Sequence, residues 1–218
     1  MTTSLHEWID YVFDHQVTSN PWWFALDADD VDVDATTEAT LYAETFERSA
    51  ELLHRFSLAQ LNQALTYLTS NSCSEHMFAL LNTNVDQALR LRAVRSFVPL
   101  FENTMLPLCA NELSHLDEAS GNPLNTACYM WWDSLPYPCI ERWRKDTAFK
   151  EAALNVMQQQ LAMPHDAVRE SALHGLGHWH HYYPKDTRRI VKQFLNTTSN
   201  LRDDLIDYAE AAAEGMVQ

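Results

Sequence analysis

Apolar residues recur at helical spacing along most of this chain, and no stretch alternates apolar and polar as a half-buried strand would. Leu5, Trp8, Ile9, Val12 and Phe13 share one face of a helix over 4–15, with Ser4 as its cap. A loop over 16–36 follows, holding Trp22, Trp23 and Phe24 behind Pro21 and then an acidic run from Asp27 to Asp34. Leu41, Ala43, Phe46, Ala50, Leu52 and Leu53 predict a helix over 37–56; Leu58, Leu61, Ala64, Leu65 and Leu68 predict another from Ser57. A short helix over 74–81 and a long one over 85–106 come next. Pro99 should kink or break the latter, because proline lacks the amide and crowds the preceding turn.

Residues 120–139 are the least helical stretch, with Gly121, Pro123, Pro136 and Pro138 around Met130, Trp131 and Trp132. We read that aromatic segment as buried against the helices. Helical periodicity resumes at about 139–145, 148–162, 166–182, 185–196 and 200–214. Short connections make successive helices antiparallel neighbours. The expectation is a single all-α domain over 1–218, built of stacked antiparallel helical hairpins, less regular over 1–118.

The helix from Asp166 is the most legible. Pro164 and Asp166 form its start signal, with Asp166 read as the capping acceptor. Val168, Ala172, Gly175, Leu176 and Trp179 form its apolar stripe, and His174, His178 and His181 fall opposite. Gly175 and Gly177 each cost a helix about 1 kcal/mol relative to Ala, so a close neighbour is expected on their side. Their G-L-G follows no strand and opens no helix, which excludes a phosphate-cradling loop.

Pro164, Asp166, Val168, Arg169, Ala172, Leu173, Leu176 and Gly177 follow a P-x-D-x-V-R-x-x-A-L-x-x-L-G pattern. It resembles the second helix of a HEAT repeat, over about 148–196. The resemblance implies a HEAT/armadillo-like superhelix over 140–214, in which Asp166 and Arg169 would bridge neighbouring repeats.

Charge changes the functional picture. The formal net charge is −15, and residues 1–47 hold 11 acids and no Lys or Arg. Such a field repels nucleic acid and anionic membrane and attracts basic proteins or cations. Cys73, Cys109, Cys128 and Cys139 form no C-x-x-C pair and match no zinc spacing. With an amino terminus that lacks a basic region and a continuous apolar run, the chain reads as cytoplasmic with reduced thiols.

Candidate chemistry is sparse. His174 and His178 are one turn apart and can share a Zn²⁺ or Ni²⁺ ion, but a third ligand must come from a neighbour such as His165, Glu141 or Asp133. A calcium loop from Asp27 matches at Asp27, Asp29 and Glu38, and fails at Val31 and Asp32. No nucleophile sits on an elbow-type turn. The expected function is therefore non-enzymatic binding of a basic protein, as by an immunity-type protein that neutralises a toxin or nuclease, with no cofactor. Trp22, Trp23, Asp27, Asp29, Asp30, Asp32, Asp34, His174, His178 and His181 would meet the partner. A metal protein using the histidine ridge, and a scaffold or homo-oligomer, are the alternatives.

Overall fold

The Ser4 hydroxyl accepts from the Glu7 amide, and the Glu7 carboxylate accepts from the Ser4 amide; this capping box starts helix α1, Leu5–Phe13. Ser57 and Gln60 repeat the device further along the chain. The computed structural model describes residues 3–25, 31, 33–116, 121–135 and 137–217. Among them every regular element is helical and none is a strand. After α1 come α2 (Ala35–Glu47), α3 (Ser49–Leu52), α4 (Leu58–Thr69), α5 (Gln87–Arg95) and α6 (Phe97–Leu100). Next are α7 (Leu106–Leu108), α8 (Leu124–Tyr129), α9 (Glu141–Arg144) and α10 (Thr147–Ala162). Helices α11 (Asp166–His180), α12 (Pro184–Thr197) and α13 (Asp203–Ala213) complete the set.

Differences from the periodicity reading have local causes. The helix expected over 37–56 is split at Arg48, and it begins earlier because the Asp34 carboxylate caps the Thr36 and Thr37 amides. The segment over 76–81 is a tight 3₁₀ run. In the helix expected over 85–106, the regular hydrogen bonding stops at Arg95, four residues before Pro99, where the proline ring would crowd the carbonyl. A wide π turn over Phe101–Met105 then precedes α7. The stretch over 120–139, read as least helical, contains α8.

Trp131 and Trp132 are buried, as their aromatic character between polar turns implies. They join the two halves of the chain: Phe46 of α2 and Phe97 of α6 pack on Trp131, Phe97 also meets Trp132, and Trp132 meets Trp179 of α11. The Trp132 indole donates to the Gln160 amide oxygen at 2.8 Å, which fixes the segment against α10.

Helix α11 is enclosed by α8, α10, α12 and α13. On the side opposite its apolar stripe, Glu170 and His174 are buried, whereas His178 and His181 are exposed. Asp166 is the first helical residue rather than the cap; His165 holds the cap position without a side-chain hydrogen bond. The close approach at the glycines comes from a side chain and the carboxy-terminal tail, not from another helix. A Cβ at Gly175 would lie 2.4 Å from Trp132 Cβ, and one at Gly177 would lie 2.5 Å from Val217 Cγ2.

Candidate metal centre

His174 lies in the third turn of α11 and is 2% exposed. Its Nδ1 is 2.8 Å from the Tyr208 hydroxyl of α13, and Tyr208 is 3.0 Å from the Tyr129 hydroxyl of α8. The Tyr129 ring lies 4.1 Å from the imidazole, centroid to centroid. The two tyrosines therefore fix the His174 ring from the helices on either side, and its other nitrogen, Nε2, is buried with no hydrogen-bond partner. Orphaned buried nitrogens are rare, because each forfeits its hydration with no replacement. Burial first, then the neighbouring His178 and His115, pull the pKa of His174 down to about 3. The ring is thus neutral at physiological pH, with one nitrogen engaged by tyrosine and the other able to offer a lone pair.

Two further donors converge there. His178, one turn on, places its ring 4.5 Å from that of His174. Asp133, four residues past the end of α8, brings Oδ1 to 3.6 Å from His178 Nε2. One ligand atom from each of Asp133, His174 and His178 lies within 4.8 Å of the others, the one such group of three or more His, Cys, Asp or Glu found among the described residues. Bonds of about 2.0–2.1 Å to a tetrahedral ion place its ligands about 3.4 Å apart, so closing the group needs shifts of about 1 Å. Two of its three side chains are partly exposed and free to make them.

Beneath this group, Glu170 is fully buried. Its carboxylate accepts from the Ser114 and His115 amides at 2.8 and 2.9 Å and meets His115 Nδ1 at 2.6 Å. The His115 ring in turn stacks on Tyr208, centroids 4.1 Å apart. The 114–116 turn, α11 and α13 are thereby locked round His174. The group opens on a cleft of about 180 Å³ between the 132–139 segment and the end of α11, lined in part by Asp133, His178, Cys139 and His181. A larger groove, about 610 Å³, runs between Phe78–Asn84 and Ile140–Trp143. We place the chemistry at the smaller cleft, because the larger groove has Arg142 as its one charged lining residue.

The other sequence candidates are scattered. His181 is exposed at the cleft edge and outside the ligand group. Trp22 and Trp23 are half-buried and turn inward: Trp22 stacks on His15 at 3.8 Å, and Trp23 stacks on Tyr67 of α4 at 5.3 Å. Asp34 caps α2, and Asp27, Asp29, Asp30 and Asp32 lie outside the described residues. Glu38, the last position of the tested calcium loop, is buried and bonded to His76. Of the proposed third ligands, His165 faces the Cys109 carbonyl and Glu141 opens α9, whereas Asp133 reaches the histidines. Of the supporting shell, Glu170 shares the ridge of His174 and His178, and Tyr129 belongs with Trp131, Trp132, Tyr137 and Asp133 to an aromatic cluster that the sequence offers as a ligand pocket. Tyr208 and His115 are the two that the sequence does not mark.

Comparison of the chain with protein-family models, with curated proteins and with solved structures returned no match.

Proposed function

We propose that this protein binds a divalent first-row transition-metal ion through Asp133, His174 and His178. The observation that carries the reading is the buried, unpartnered Nε2 of a neutral His174 beside a second imidazole and a carboxylate. Two imidazoles and one carboxylate suit Zn²⁺ or Fe²⁺, the donor set of metal sites that keep an open position. The tyrosine at Nδ1 plays the part of the outer-shell partner that fixes a ligand's tautomer. Metal analysis and titration of the purified chain test it. About one ion per chain is expected, with affinity falling at least tenfold in Asp133→Asn and His178→Gln. Both substitutions sit at partly exposed side chains and leave the core intact. Wild-type protein that takes up no Zn²⁺, Fe²⁺, Co²⁺ or Ni²⁺ sinks the reading.

The protein-binding reading stands second. Its support is the absence of any Lys or Arg from residues 1–47 together with Phe24, 60% exposed next to the acidic run. An immunity-type protein facing a basic toxin is its concrete form, and a salt-sensitive complex with a basic protein is its test. A HEAT-like arrangement of the carboxy-terminal helices belongs with it. Support comes from Arg169, whose Nε donates to the Leu161 carbonyl of α10 while its guanidinium lies 5.9 Å from the Phe194 ring of α12.

A further inference from the structure

We propose, resting on the metal reading above, that the ion keeps a coordination position open to the neighbouring cleft and that this position takes a small monocarboxylate. Three protein ligands leave a tetrahedral ion one position short and an octahedral ion three short. His174 closes the buried side of the site, and Asp133 and His178, each with a 39% exposed side chain, form its outer rim and line the cleft. The open position therefore faces outward.

Charge and size define the occupant. A divalent cation with one aspartate keeps one net positive charge, which a monoanion neutralises. A second positive group stands behind the lining: Arg144 donates to the carbonyl of Pro138 and lies 4.9 Å over the Tyr182 ring, and both of those residues line the cleft. Trp132, Leu135 and Trp179 supply apolar walls. At about 180 Å³ the space is smaller than the roughly 300–1,000 Å³ that encloses a drug-sized ligand, so it fits a carboxylate with a short apolar tail.

The full chain loaded with Co²⁺ tests this through its visible absorption, which reports a change of ligand on the metal. Titration with propionate is expected to shift the spectrum saturably. Arg144→Gln, away from the metal ligands, is expected to bind Co²⁺ as tightly and propionate roughly two- to fivefold more weakly, the weight of one partly exposed charge pair. Pyrene-1-carboxylate, bulkier than the cleft, is expected to leave the spectrum unchanged. Bound Co²⁺ whose spectrum ignores propionate overturns the open position while the metal site stands. A pyrenecarboxylate response equal to that of propionate overturns the cleft as the place of binding. Failure to bind Co²⁺ overturns both.

Discussion

The Tyr208 hydroxyl sits 2.8 Å from His174 Nδ1 and ties the centre of α11 to α13 at the one imidazole nitrogen that faces that helix. Tyr208 is itself 3.0 Å from Tyr129, and burial together with that neighbour raises its pKa, so it stays protonated and able to hydrogen-bond. Loss of the hydroxyl releases the ring that the metal reading requires to be fixed. Tyr208→Phe is therefore expected to weaken metal binding about 10-fold, within the range seen for outer-shell partners. It should cost about 1 kcal/mol of stability. Competitive titration against a chromogenic chelator measures the first effect and urea unfolding the second. Equal affinity in the variant would detach Tyr208 from the site.

Glu170 has no exposure to water and three donors aimed at it. Removing the carboxylate strands the Ser114 and His115 amides inside the protein. Glu170→Ala should destabilise by about 3–5 kcal/mol, the scale of breaking a buried charged network. Glu170→Gln retains an acceptor and should lose about 1–3 kcal/mol. The ordering of the two variants in urea is the decisive quantity; equal losses would mean that packing, not hydrogen bonding, is what Glu170 supplies.

The two helical glycines should respond differently to the same methyl group. At Gly175 it meets Trp132 near the backbone, where the indole is held by Gln160 and cannot swing away. Gly175→Ala should cost about 1–3 kcal/mol through overpacking, despite the ~1 kcal/mol helix preference of Ala. At Gly177 the obstacle is the side chain of Val217, near the end of the chain. Gly177→Ala combined with Val217→Ala should be neutral or more stable by up to about 1 kcal/mol. Thermal unfolding compares them, with Trp132 displacement also expected to disturb its neighbour Asp133 and weaken metal uptake in the Gly175 variant alone.

How far the sequence reaches is clear from α11. Its limits, its apolar stripe and the His174–His178 pair are all readable, since each depends on spacing along one helix. That His174 is buried is not readable, because the covering side chains, Tyr129 and Tyr208, come from α8 and α13, far away in the chain. The same holds for Asp133. It is one of several acids that a sequence could offer as a third ligand, and only the turn after α8 brings it to His178. Inward packing of Trp22 and Trp23 likewise depends on Tyr67 and His15, which no local pattern ties to them.

His165 makes the pH dependence of the metal-free protein a last test. It is 8% exposed, with Nε2 3.3 Å from the Cys109 carbonyl oxygen and Nδ1 unpartnered. Burial, the largest influence, lowers its pKa below the usual 6.5. The folded chain thus holds a neutral ring at a pH where the unfolded chain takes up a proton. The stability tied to this group is complete above pH 6.5 and is lost as the pH falls toward the folded pKa. The limiting slope is about 1.4 kcal/mol per pH unit for the one proton. Urea unfolding in the presence of a chelator should therefore show wild-type stability dropping between pH 7.5 and 5. His165→Gln, which cannot titrate, should drop less over the same interval, although it starts from a lower value for want of the imidazole's packing. Parallel pH curves for the two proteins would place the proton uptake at other histidines.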